Sequence, residues 1–248
     1  MSMTIPMYPG TIPYVTTEQM IEVDRAMVED ARIELIQMME NAGRNLAHLA
    51  RMRFFDGNPW GKHVVVLAGT GGNGGGALVC ARRLHTWGAR VQVVVTHPAE
   101  NFTPVPAHQL DILQRMQVPV AQAEAVNQTE SPALIVDGLI GYRLRGAPHG
   151  SVADLIRWAN AAAAPILAMD VPSGVDTTSG TVFDPAIKAM ATMTLALPKA
   201  GLRAPGVEAL VGELYLADLS VPPSLYAEPA LALQVGSLFA ESDILRLR

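Results

Sequence analysis

Residues 62–84 read KHVVVLAGTGGNGGGALVCARRL: an apolar β-branched run, five glycines around one asparagine, then a helical periodicity. Few folds accommodate that order. Val64 to Leu67 has the composition of a strand buried on both faces. Gly71, Gly72, Gly74, Gly75 and Gly76 surround Asn73, and Leu78, Val79, Ala81 and Leu84 follow at the spacing of a helix face. A strand that breaks into glycine and leaves as a helix predicts an anion site at the turn. Glycine lets backbone N–H groups approach a ligand closely, and the helix N-terminus adds a favourable dipole. A phosphate-bearing ligand is the first expectation. Each glycine costs roughly 0.5–1 kcal/mol of backbone entropy against alanine in regular structure, so five are more than a simple turn requires.

Gly69, Gly71 and Gly74 also satisfy the loose G-x-G-x-x-G pattern of dinucleotide folds. The following strand, ARVQVVVT, ends in Thr96 and His97 rather than in the carboxylate that would hold a ribose. An NAD-dependent dehydrogenase therefore ranks last among the readings. A Walker loop is excluded, because no Gly-Lys-Ser/Thr follows the glycines.

Strand and helix patterns alternate along the chain. Helices are predicted over Glu18–Arg32, behind Thr16 and Thr17 as capping residues, and over Ile33–Phe55. Strands are predicted at Val64–Ala68, Val91–Thr96, Ala133–Asp137 and Ile166–Asp170, with a short extended piece at Val118–Ala121. Between them fall helices over Gly75–Trp87, Pro106–Met116 and Ser151–Ala163, and Ala191–Ala196 and Glu213–Ala217 read as further strands. Such alternation predicts a three-layer, Rossmann-like α/β fold: a mostly parallel, doubly wound sheet with helices on both faces. Residues 1–248 read as one domain, with an irregular arm over 1–15 and a C-terminal extension over 223–248. The last stretch, SLFAESDILRLR, reads as a terminal amphipathic helix.

Composition narrows the function classes. Half of the 248 residues are hydrophobic and 17% are charged, which suits either a large interior or a homodimer interface. The net charge of −5, without any Lys/Arg cluster, argues against nucleic acid as a partner. No apolar run is long enough to span a bilayer, and the N-terminus lacks the pattern of a secretion signal, so a soluble cytoplasmic protein is expected. The single cysteine, Cys80, falls on the buried side of the helix after the glycines and reads as a small core residue.

In a parallel sheet the C-terminal strand ends share one edge, where ligands bind. Three strands end there in reactive groups: Gly69 to Gly76, Asp137-Gly138-Leu139-Ile140-Gly141, and Asp170-Val171-Pro172-Ser173-Gly174. Asn73, Asp137 and Ser173 offer hard oxygen ligands suited to a monovalent or alkaline-earth cation. No Cys/His cluster has zinc spacing, and the six histidines are scattered.

MMENAGR (Met38 to Arg44), LAGTGGNGGGA (Leu67 to Ala77), VDGLIG (Val136 to Gly141), DVPSGVD (Asp170 to Asp176) and LPKAGL (Leu197 to Leu202) resemble, in order and spacing, the YjeF N-terminal domain family. Its best-understood members are epimerases that interconvert the R and S forms of hydrated NADH and NADPH, NADHX and NADPHX. The resemblance covers roughly Thr16 to Pro222 and implies a stand-alone version without a second, kinase-like domain. It implies a small-molecule nucleotide held by Gly72, Asn73, Gly74, Gly75 and Gly76, by the segment Gly141, Tyr142, Arg143, Leu144, Arg145, Gly146 and Ala147, and by Asp170. It also implies a potassium ion on Asn73, Asp137 and Ser173, Asp170 as the acid/base, and Glu40 and Asn41 near the site. The chain departs from the family's N-N-G-G-D-G loop: Gly72 replaces the first Asn and Gly76 the Asp, while Met190 stands where the family often has an Asp. Loss of the loop carboxylate leaves a competing expectation, a catalytically impaired nucleotide-binding or protein-interaction scaffold of the same fold.

Overall fold

The computed structural model describes residues 5–248. Eight strands form one sheet: β1 His63–Ala68, β2 Arg90–Val95, β3 Val120–Gln122, β4 Leu134–Gly138, β5 Ile166–Met169, β6 Ala191–Leu195, β7 Glu213–Ala217 and β8 Ile244–Arg246. Their order is β3-β2-β1-β4-β5-β6-β7-β8. The first seven are parallel, and β8 runs antiparallel to β7. The order reverses between β1 and β4, which opens a crevice at the ends of those two strands. The Rossmann-like, doubly wound sheet expected from the alternation is present.

The helices are α1 Thr17–Glu29, α2 Leu35–Phe54, α3 Gly72–Thr86, α4 Pro104–Arg115 and α5 Gly150–Ala161, with short turns α6 Glu208–Val211 and α7 Pro223–Ala227. The Thr16 side chain accepts from the Gln19 N–H while Gln19 reaches back to the Thr16 N–H, a capping box that fixes where α1 begins. Leu46, Leu49, Leu78, Leu84, Leu110 and Leu113 pack from α2, α3 and α4 onto Val64, Val66 and Val93 of the sheet. The opposite face is covered by α5, through Leu155, Ile156 and Ala159 against Val65, Ile135 and Ala168. Cys80 is fully buried in α3, and burial pushes its thiol far above the usual range, consistent with a core role. Among the described residues no helix is long and apolar enough to cross a membrane.

Two sequence expectations need correction. The helix predicted from Gly75 begins at Gly72, so the glycines form the first turns of α3. The C-terminal amphipathic helix is absent: Ser242 Oγ donates to the Ile244 carbonyl and starts a turn, and residues 244–246 become β8. Without β8, β7 would present an unpaired edge, and closing that edge overrides the helical periodicity of a short segment. Residues 223–248 are built into the molecule, since Leu225, Tyr226, Leu231 and Ile244 belong to the same core cluster as β1. Of the expected N-terminal arm, residues 1–4 lie outside the described residues. The remainder is anchored by bridges from Met7 to Arg246 and from Val15 to Lys199.

Arg53 near the end of α2 donates to both oxygens of Glu213 at the start of β7, each at 2.8 Å. These bonds hold the Glu213 carboxyl down at about 2. Its folded value lies below its unfolded one, so the pair's contribution is complete above about pH 4.5 and is lost as pH falls toward 2. Because both groups are partly solvent-exposed, Arg53→Met is expected to cost only about 1 kcal/mol at pH 7. Urea unfolding from pH 7 to pH 2 should show the difference from the parent protein shrinking across that window.

Candidate active site

The ends of β1, β4 and β5 are drawn together around Asn73, in the first turn of α3. Its Nδ2 donates to the Met169 carbonyl at 2.8 Å and to the Ile140 carbonyl at 3.2 Å. One side chain thus ties the turn after β4 and the end of β5 to the glycine segment after β1. The glycines make that approach possible. A Cβ on Gly74 would lie 1.8 Å from the Gly69 carbonyl oxygen, and one on Gly76 would lie 2.0 Å from the Met169 methyl. Where α2 crosses α3, a Cβ on Gly43 would sit 2.4 Å from the Gly76 carbonyl oxygen. Gly71 and Gly72 have open space where a side chain would project. Their backbone forms the N-terminal edge of α3 that faces outward, as an anion-binding helix terminus requires.

Above these strand ends lies a cavity of about 450 Å³. Its floor is formed by Gly72, Asn73, Gly74, Asp170 and Lys199, and its roof comes from α1 and α2 through Met20, Asp24, Met38 and Met39. Gly141, Tyr142 and Arg143 line one side. Of the sequence-predicted binding residues, Leu144, Arg145, Gly146 and Ala147 fall outside the lining, and Arg145, Gly146 and Ala147 are exposed. Gly75 and Gly76 are buried behind it, against Met39 and Met169. Glu40 also lies outside. It accepts from Arg82, Arg83 and Gln109 and clamps α2 to α3 and α4. Asn41 donates to Ser220 Oγ at 3.3 Å.

Asp170 is 2% exposed and follows directly on β5. Its backbone sits in the left-handed region at φ +66, a conformation that costs a non-glycine residue energy and that aspartate tolerates better than most. Thr194 Oγ1, the Leu195 N–H and Lys199 Nζ all donate to its Oδ1. Among the described residues every donor converges on that oxygen, which leaves Oδ2 for a ligand in the cavity. Lys199 is fully buried and also donates to the Leu195 carbonyl at 2.8 Å. Its segment is braced by the N-terminal arm, where the Val15 N–H donates to the Pro198 carbonyl and the Ala200 N–H to the Val15 carbonyl. Sequence reasoning misses the placement of Lys199, although LPKAGL carries the signal: a lysine set among apolar residues.

Asp137 is fully buried and its partners are neutral: the Ser173 N–H at 2.9 Å, Ser173 Oγ at 2.7 Å and the Leu139 N–H at 3.2 Å. Burial pushes the carboxyl up to about 6 despite these bonds. Ser173 Oγ in turn accepts from the Ile140 N–H at 2.9 Å, which brings the Asp137, Ser173 and Asn73 side chains to the same turn. Among the described residues no three His, Cys, Asp or Glu side chains are placed to share a metal ion. One buried carboxylate with neutral oxygens fits a weakly charged, oxygen-seeking cation rather than zinc.

The model of the YjeF-related protein N-terminus family matches residues 35–201. The chain belongs to this family. Among similar YjeF-related proteins, an NAD(P)H-hydrate epimerase of Dehalogenimonas lykanthroporepellens is 41% identical over 221 residues, covering 88% of this chain and 86% of that protein. One of the same description from Truepera radiovictrix is 38% identical over 198 residues, covering 80% and 86%. A bifunctional NAD(P)H-hydrate repair enzyme of Salinibacter ruber is 34% identical over 225 residues, and this chain spans 41% of it. The crystal structure of yeast ynu0 superposes with a TM-score of 0.80 at 25% identity, covering 95% of this chain and all of that one.

The packing at α3 separates the glycines by role. Gly74→Ala should destabilise the protein by about 3 kcal/mol, because its methyl meets a backbone carbonyl that cannot step aside. Gly72→Ala should leave stability unchanged or raise it by up to about 1 kcal/mol, since alanine is the better helix former. Thermal unfolding of the two variants checks both values.

Proposed function

We infer that this chain is an NAD(P)H-hydrate epimerase, an isomerase that interconverts the R and S forms of NADHX and NADPHX. The observation that carries the reading is Asp170, buried and fixed by Lys199 through one oxygen, with the other oxygen free at the floor of the cavity.

The substrate carries a hydroxyl on the ring carbon next to the nitrogen, which makes it a carbinolamine. The nitrogen lone pair expels that hydroxyl when it is protonated, leaving an iminium planar at the carbon, and water adds back to either face. Asp170 exchanges the proton with the departing or arriving oxygen, a contribution typically worth ~10²–10⁴ in rate. Lys199 orients the carboxylate and balances its charge in a buried setting where a lone charge would be costly. The roof of methionines from α1 and α2 keeps bulk water from the ring, and the phosphates of the cofactor lie at the N-terminus of α3 beside Gly71 and Gly72. Position 76, where the family has a carboxylate, is occupied by the Met169 thioether in this packing, so Asp170 acts without a loop partner. A soluble, cytoplasmic enzyme fits this substrate.

Asn73, Asp137 and Ser173 would hold a potassium ion. When bound, that ion would supply the positive charge that the buried Asp137 lacks and would stiffen the turn that carries Gly141 and Tyr142.

Asp170→Asn preserves the shape and the tolerance for the left-handed backbone while removing the acid/base. It should lower kcat by at least about 10²-fold with nucleotide affinity retained, read by chromatographic separation of R- and S-NADHX. Full activity in that variant would sink the assignment; tight nucleotide binding by a parent protein that does not accelerate interconversion would favour the scaffold. Exchanging potassium for choline at constant ionic strength should lower the thermal midpoint of the parent protein but not of Ser173→Ala.

A further inference from the structure

Stereochemical inversion at a planar carbon places a demand that Asp170 alone does not meet. If the hydroxyl departs from one face and water arrives on the other, a proton must be given on the first face and taken on the second. Asp170 and Lys199 stand on the floor of the cavity, at the end of β5 and beyond the end of β6. The roof holds a second carboxyl, Asp24 of α1, which lines the same cavity. It occupies the stripe of α1 whose other members, Met20, Val23 and Met27, are buried, so its polarity contradicts the helix's own pattern. The Tyr142 hydroxyl, on the lining turn after β4, donates to Asp24 Oδ2.

We propose that Asp24 is a second acid/base residue of the site, working on the face of the nicotinamide ring opposite Asp170, with Tyr142 as the residue that positions it. The proposal rests on the epimerase reading. In one direction the neutral Asp24 carboxyl protonates the departing hydroxyl as the C–O bond breaks and the ring-nitrogen lone pair forms the iminium. A water on the floor then adds to the opposite face and gives its proton to Asp170. In the other direction the two residues exchange roles. One water leaves and one enters, no oxidant or reductant takes part, and the proton left on Asp170 returns to Asp24 through solvent before the next turnover in the same direction.

The two carboxyls are set up differently. Asp170 is salt-bridged to Lys199, whereas Asp24 has a phenol as its direct partner. Burial pushes the Asp24 carboxyl upward; Tyr142, Lys199 and Arg143 oppose that rise and Asp170 adds to it. The Tyr226 phenol of α7 also faces the Asp24 charge. A carboxyl that burial shifts upward holds a proton more readily than a free one, which suits it to give a proton. Sequence reasoning places Asp24 inside the helical pattern of α1 without giving it a task.

The test begins with the parent protein, converting R- to S-NADHX in ¹⁸O-labelled water under conditions where enzymatic interconversion outruns the spontaneous reaction. The expected result is one solvent oxygen in every inverted molecule, because the departing and arriving waters differ. Inversion with the original oxygen retained, as a ring opening and reclosure would give, overturns the proposal. Asp24→Asn should then lower kcat by about 10²-fold with KM little changed, and Tyr142→Phe by less. Asp24→Asn at the parent rate overturns the proposal even if Asp170→Asn is inactive, and no acceleration by the parent protein means instead that the epimerase reading has failed.

Discussion

The close backbone contact at the first turn of α3 is the constraint on which the rest of this structure depends. Gly74 lies against the carbonyl of Gly69, and Gly43 lets α2 cross α3 beside Gly76. Because no side chains keep these segments apart, Asn73 reaches the carbonyls of both Ile140 and Met169. The ends of β1, β4 and β5 then meet at the point where the strand order reverses, and the crossing of α2 brings Met38 and Met39 over the same crevice. Fold and site thus share one cause, a helix N-terminus packed at backbone distance.

Around that contact the interior holds three ionisable groups that an apolar core would normally reject. Asp170 and Lys199 compensate one another, and the left-handed backbone at Asp170 aims the carboxylate at both Lys199 and the cavity. Asp137 has only neutral hydrogen-bond donors in its surroundings. Buried charge of this kind lowers stability more readily than it raises it, and groups buried and perturbed in this way cluster at functional sites.

The core of the fold is legible from residue order. The apolar runs of β1, β2, β4, β5, β6 and β7 and the helical periods between them all appear as elements, because strands and helices buried in the middle of a doubly wound sheet obey local patterns closely. Residues 237–248 are the counterexample. Their apolar spacing suits a helix, yet β7 has an edge to be paired, and that demand comes from a strand more than twenty residues earlier. The site is legible only in part. Asp137, Asp170, Asn73 and Ser173 sit at strand and helix ends that the sequence marks, whereas Lys199 and Asp24 lie on a loop and a helix that carry no mark of their distance from Asp170.

The sequence by itself determines the parallel sheet, the edge that carries the cavity, and the family, because strand period, glycine clustering and ordered motifs are local properties of the chain. Only the tertiary structure decides which glycines leave room for a ligand and which leave room for other backbone. The same holds for the clamp role of Glu40 and for the meeting of Asp24, Asp170 and Lys199 in one cavity. Those outcomes depend on how α1 and α2 cross α3 and cover the strand ends, and the crossing is set by packing between segments far apart in the chain.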